Sequence, residues 1–348
     1  MPPRCPTLLL PCRWWCAFVL LALCWPVLAP AQSLIYPVRY EAGRGALEDY
    51  LGSRGYAAVP LQRLTGPHLE VVARINGVPG HFLVDTGAQI TVVHSASLAK
   101  FKLSSVKTGV RVYGAVGGPG EQIQAALANR LQIGPCEASP FLLGVSDLSA
   151  LNAGRSGRNP GQFDGIIGAD VLQTFSFVID CAGLQLFAWK PRGADDRGTP
   201  PGGLGDYLRS HGYGEIPMKR QSISDFEVSA NVNGRRALWL VDTGAAITLL
   251  DKGISRRAGI KLNRTKFTVG GAGGGRQRID VGIVDSLRFS SVGVRSAIIA
   301  VSDITSHNTA LQDPGKPAID GYLGADFLRE RHAVIDCSQM RLYLRHQR

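Results

Sequence analysis

Methionine is scarce in this chain, three in 348 residues, and long helical stretches of apolar periodicity are hard to find. Glycine is abundant at 42. Together these point away from helical bundles and towards a β-rich chain with many turns. No Gly-x-Ser-x-Gly elbow and no His-Glu-x-x-His pair occurs, which removes the commonest serine-hydrolase and zinc-peptidase signatures. Cysteine is too sparse for a disulfide framework. Of seven, Cys5, Cys12, Cys16 and Cys24 fall in the first 31 residues, leaving Cys136, Cys181 and Cys337. No two have metal-ligand spacing. Cys181 and Cys337 stand at matching places in an internal repeat, so a bridge between them is one open possibility. Outside the N-terminus no apolar run is long enough to span a bilayer.

The N-terminus itself reads as a secretory signal. Arg4 and Arg13 precede an apolar stretch from Trp14 to Leu28, and Ala29-Pro30-Ala31 offers small residues for cleavage before Gln32. An uncleaved anchor is the alternative. The expected location is periplasmic or secreted. Removing residues 1–31 lowers the net charge from +11 to +9. The basic residues are scattered and lack interleaved aromatics, so no nucleic-acid partner is expected.

What is present is one unit written twice. Leu83-Val84-Asp85-Thr86-Gly87-Ala88 returns as Leu240-Val241-Asp242-Thr243-Gly244-Ala245, 157 positions later. Tyr50-Leu51, Gly55-Tyr56, Pro60 and Asn76-Gly77 recur at the same offset. Beyond the Asp-Thr-Gly segment the offset is 156, as in Asp164 to Asp170 against Asp320 to Asp326, and Val178 to Cys181 against Val334 to Cys337. A repeat this long is a domain. The expected organisation is a signal at 1–31, a first lobe at 32–190, a turn-rich linker at 191–206 and a second lobe at 207–348.

In each lobe Asn-Gly between apolar runs predicts a hairpin. Its second strand ends on the aspartate, and a short helix is expected at about 95–101 and 252–258. Gly114 to Gly120 and Gly270 to Gly275 read as mobile hairpin tips over a cleft, with Gly117, Gly118, Gly273 and Gly274 at their centres. Neither continues into Lys-Ser/Thr, so neither reads as a phosphate cradle. Asp170 and Asp326 are expected at helix N-termini in a structural role.

An apolar pair before Asp-Thr-Gly-Ala, a Gly-rich tip, and a later apolar-apolar-Gly before a helix together resemble the retropepsin-like aspartic proteases. The Ala after Asp-Thr-Gly resembles the retroviral and bacterial branch. The resemblance covers about 65–190 and 222–348. It implies an all-β fold of two pseudo-twofold-related β-barrel lobes with short helices and an active site at their junction. It implies that Asp85 and Asp242 form the catalytic pair, that Thr86 and Thr243 stiffen the junction, and that Gly87 and Gly244 let the loops approach. Ile166-Ile167-Gly168 and Tyr322-Leu323-Gly324 match the segments that brace those loops, and the Gly-rich tips match flaps. No cofactor and no metal is implied. The expected partner is a peptide or protein substrate. Both halves lie in one chain, so a monomer should suffice.

Gln89 and Ala246 depart from the serine frequent in bacterial relatives, and Tyr322 stands where an aliphatic residue is usual. The chemistry implied is that of two carboxylates sharing one proton, one activating water and the other polarising the scissile carbonyl. Ala88 and Ala245 offer no hydroxyl to the anionic pair, so the expected pH optimum is less acidic than a pepsin-type one. The competing reading is a non-catalytic peptide-binding protein on the same scaffold. Segments 32–64 and 207–217 have no role in the minimal retroviral unit.

Overall fold

The computed structural model describes Phe18–Val19, Leu23–Cys24 and residues 44–346, apart from 63–66, 114–120, 154–160, 190–201, 222–223, 225, 272–275, 306–307, 310–314 and 316. The expected cleavage site at 29–32 and the Gly-rich tips at 114–120 and 272–275 lie outside the described residues. Among the described residues no helix is long and apolar enough to cross a membrane.

Each lobe is built on the predicted hairpin. Glu70–Ile75 pairs with Val78–Val84, and Glu227–Val232 with Arg235–Val241. The turns close because Asn76, Gly77, Asn233 and Gly234 all take positive φ, between 46° and 82°. The strand ending in the aspartate then gains a parallel neighbour from far along the chain. Leu83 and Val84 face Ile166 and Ile167, and Leu240 and Val241 face Tyr322 and Leu323. These three-residue strands are buried throughout, as their unbroken apolar runs require. Glycine opens each one because the sheet leaves no room. A Cβ at Gly321 would lie 2.6 Å from the Leu249 carbonyl oxygen.

On the far side, Val92–His94 and Leu249–Asp251 continue each sheet into long hairpins. Those are Ser105–Tyr113 with Glu121–Ala128, and Leu262–Gly271 with Arg276–Phe289. They lead to the two Gly-rich tips expected as flaps, and their register locates the repeat's single deletion. Thr108 and Thr265 match at 157 and donate to the carbonyls of Ile123 and Ile279, which match at 156. The missing residue therefore belongs to the second flap's tip.

A third sheet joins the lobes. Its six strands run Tyr213–Pro217, Arg341–Arg345, Val334–Asp336, Val178–Asp180, Gln185–Trp189, Tyr56–Pro60. Ile179 faces Ile335 at its centre, so three strands from each repeat meet on a pseudo-twofold axis. The segments without a family role are found here. Helices Arg44–Gly52 and Leu204–Ser210 lead into the two outer strands and bury Leu47, Leu51, Leu204 and Leu208 against Val178, Phe187, Val334 and Tyr343. The second helix begins inside the expected linker, because Leu204 and Leu208 form one apolar face that the surrounding glycines disguise.

The possible Cys181–Cys337 bridge is not formed, and both thiols are buried and free. Cys181 lies beside Ala333 and Cys337 beside Phe177, on opposite sides of the axis. The first of the two short helices is only a 3-10 turn, Ser95–Ser97, whereas the second is Lys252–Arg257, capped by Asp251 accepting from Gly253 and Ile254.

Candidate active site

Asp85 and Asp242 end the two parallel-paired strands, and the fold brings them together on the axis. Each backbone N–H donates to the bracing segment, Asp85 to the Ile167 carbonyl and Asp242 to that of Leu323, both at 3.0 Å. In each carboxylate Oδ1 accepts two loop amides. Gly87 and Ala88 donate to Asp85 at 2.8 and 3.1 Å, and Gly244 and Ala245 to Asp242 at 2.9 Å each. Both aspartates are fully buried, and their carboxyl groups hydrogen-bond each other across the axis.

The threonines cross the axis. Thr86 donates its hydroxyl to the Val241 carbonyl at 2.7 Å and accepts the Thr243 amide at 3.1 Å; Thr243 does the same with Val84 and Thr86. Four buried hydrogen bonds in all thus cross the axis, one from each loop to the other lobe's strand and two between the loops. The glycines are fixed by the opposite carboxylate. A Cβ on Gly87 would stand 2.7 Å from the Asp242 carboxyl carbon, and one on Gly244 would collide with Asp85. Neither position admits a side chain.

Charge follows from this burial. Taking a carboxylate out of water disfavours its anion. Burial pushes Asp85 up to about 7 against the opposing hydrogen bonds from Asp242, Gly87 and Ala88. Asp242 is raised well above the ordinary carboxylate value by its own burial and then by the charge of Asp85. Both members are raised, so the pair holds a proton into the neutral range and titrates as a unit.

A surrounding layer was only partly legible in sequence. Asp170 does sit in the first turn of a helix, Ala169–Thr174, but its carboxylate chiefly holds Thr91, accepting its amide at 3.0 Å and its hydroxyl at 2.7 Å. The Thr91 oxygen in turn accepts the Gly168 amide. Thr248, Asp326 and Gly324 repeat the relay. Burial raises both Asp170 and Asp326. Asp164 accepts the His81 amide, the Ser97 hydroxyl and the Lys100 ammonium. Asp320 accepts the Leu238 amide and pairs with Arg257 at 3.4 Å. The signal that could have found these is the repeat itself, since a threonine six residues after each Asp85-type aspartate recurs. The repeat keeps Glu70 as Glu227, both buried, but changes its partner: Glu70 lies 2.6 Å from His81 Nδ1, whereas Leu238 takes the histidine's place and Glu227 accepts the amides of Gln221 and Ser224. Gly117, Gly118, Gly273 and Gly274 lie outside the described residues; the strands on either side of them, Ser105–Tyr113 with Glu121–Ala128 and Leu262–Gly271 with Arg276–Phe289, form hairpins in both lobes.

The profile of a family described as aspartyl protease matches the chain twice, over residues 71–171 and 228–327. A comparison with curated proteins gives no match. Among solved structures, a retropepsin-like aspartic protease from Rickettsia conorii is 21% identical, over 38% of this chain and 88% of that one, with a TM-score of 0.25.

Proposed function

Because the chain belongs to the aspartyl protease family through both of its halves, we propose that it is an aspartic endopeptidase working through one Asp85–Asp242 dyad. The observation that carries this is the reciprocity of the loops, in which each glycine packs on the other lobe's carboxylate. Such a site exists only when both halves meet.

In this reading Asp85 and Asp242 share one proton and titrate as a unit. The ionised member takes a proton from water as that water attacks the scissile carbonyl. The protonated member polarises the carbonyl oxygen, and the pair returns a proton to the leaving amine. An extended peptide lies beneath the flap arms and adds as a strand. Thr86, Thr243, Gly87 and Gly244 act by positioning, because they hold the two carboxyl groups close enough to share one proton. The active form is the monomer. The N-terminal segment directs export and is removed before Gln32, which N-terminal sequencing of the exported protein checks.

The test is cleavage of a diverse peptide mixture from about pH 3 to pH 8, read by mass spectrometry. The full-length chain, expressed for export, is compared with Asp85→Asn and Asp242→Asn. Loss of cleavage in both variants is expected. Cleavage surviving in either breaks the shared-dyad mechanism. Peptide binding without turnover by the folded wild type would favour a binding protein instead.

A further inference from the structure

The two lobes share a scaffold but not a charge. Residues 207–348 hold 21 Lys and Arg against 13 Asp and Glu, a net of +8, while residues 32–190 hold 13 against 11, a net of +2. The excess gathers around the second flap. Residues 252–284 carry eight cations and one acid, Asp280; the matching residues 95–128 carry four and one, Glu121.

The repeat supplies its own control. Lys252, Arg256 and Lys261 stand where the first lobe has Ser95, Ala99 and Ser104, and Lys266, Arg276 and Arg278 where it has Gly109, Gly120 and Gln122. All six are exposed. Arg278 faces Thr268 across the flap ladder and Arg276 faces Gly270, so neither has an acid opposite it; Arg264 faces Asp280. Asp303 lies within the field of Lys252 and Arg256. Among the described residues, Lys261, Lys266, Arg276 and Arg278 have no ion-pair partner.

Uncompensated like charges on a two-stranded arm repel one another, which the fold gains nothing by keeping. They do create a local positive potential beside the cleft. An extended peptide advances about 3.3 Å per residue, so residues four or five positions from the scissile bond lie roughly 15 Å from the dyad, beyond the reach of its own carboxyl groups and open to a more distant surface charge. We infer that the strands Leu262–Gly271 and Arg276–Phe289, with the helix Lys252–Arg257 beside them, form a cationic rim that selects substrates with acidic residues on that lobe's side of the scissile bond. The inference rests on the protease reading and narrows its substrate class.

The experiment uses a neutral apolar decapeptide that the enzyme cleaves, and the same peptide extended by four glutamates at its N-terminus or at its C-terminus. One acidic extension should raise kcat/KM about tenfold at low salt, and the other should not. The advantage should vanish near 0.5 M salt, where screening acts within about 4 Å. In Lys266→Glu/Arg278→Glu the ratio of acidic to neutral peptide should fall below one and the salt dependence should change sign. That ratio is internal to each protein, so partial misfolding does not mimic it. Equal rates for all three peptides at low salt would overturn the rim, as would equal gains from both extensions. Should no peptide be cleaved, fluorescence anisotropy of the labelled peptides decides separately. A one-sided, salt-sensitive affinity would keep acid selection while the protease reading falls, and equal affinities would end it.

Discussion

Tyr50 and Tyr207, the same residue of the repeat in its two copies, stack on each other with ring centroids 4.0 Å apart and planes 21° from parallel. Arg54 covers the outer face of Tyr50 at 4.0 Å, and His211 lies 4.2 Å from the Tyr207 ring. The added helices therefore meet across the axis, at the sheet that joins the lobes. This gives residues 44–60 and 204–217 a role that the minimal unit does not predict. They widen the joining sheet and fasten it.

The stack should be measurable as a coupling. Tyr50→Ala and Tyr207→Ala each remove the same contact, so their effects on urea unfolding should fall short of additivity by about 0.5–1.5 kcal/mol. Additive losses would mean that the rings touch without contributing.

Thr86→Val keeps the shape of the side chain and removes its oxygen. The Thr243 amide and the Val241 carbonyl would both be left buried and unpaired. At about 1–3 kcal/mol for each orphaned group, unfolding should need roughly 2–6 kcal/mol less. Peptide cleavage should fall with it, because the loop would no longer be registered against its partner. Unchanged stability in denaturant would show that the crossing bonds contribute nothing.

Gly87→Ala tests the reciprocal packing more sharply. Its Cβ meets the Asp242 carboxyl group, so the substitution displaces the opposite lobe's aspartate. A displacement of about 1 Å costs on the order of a hundredfold in rate. Activity should fall by at least that much while circular dichroism stays that of the folded protein. Full activity would contradict the close approach.

Stability should depend on pH in a defined window. Asp85 is pushed up from 3.8 to about 7. A carboxyl group raised on folding favours the folded state below its unfolded value and loses that contribution as pH rises through the folded one. Asp242, Asp170 and Asp326 are raised by burial and act in the same direction. The melting temperature should fall between about pH 4 and pH 7, and Asp85→Asn should flatten part of that fall. A wild type most stable at pH 8 would refute the shift. The activity profile should likewise lie above that of a pepsin-type dyad, whose values are about 1.5 and 4.7.

Trp239 offers a prediction of near-neutrality. It is fully buried with no partner for its indole N–H among the described residues, and Phe82 fills the same place in the first lobe. Trp239→Phe loses packing area but also removes an unpaired donor worth about 1–3 kcal/mol. Unfolding free energy should change by no more than about 1 kcal/mol. A loss above about 3 kcal/mol would show that the nitrogen is paired.

Legibility in the sequence followed repetition. The Asp-Thr-Gly loops, the Asn-Gly turns and the bracing strands recur with their chemistry unchanged, and spacing alone located them. Features that rest on pairing between distant residues were harder. Asp170 looked like a helix-start residue because its helix is adjacent in the chain, whereas Thr91 lies 79 residues away. The helix at Leu204 was hidden by Gly202, Gly203 and Gly205, which read locally as a turn. Its partner face comes from Val334 and Tyr343, which no local window contains.

The joining sheet also governs how the chain can be made. Val178–Asp180 is complete when the first lobe leaves the ribosome, yet its neighbour Val334–Asp336 is synthesised about 150 residues later. Until then an apolar, hydrogen-bonding edge stands uncovered. Two first lobes on neighbouring nascent chains present edges of the same kind, and nothing but dilution keeps them from joining in place of the intended partner. Fusion of the halves settles that competition by tethering, because the correct edge is always the nearest one. The penalty for slow export or truncated synthesis should then be aggregation through this edge, and not simply the absence of an enzyme.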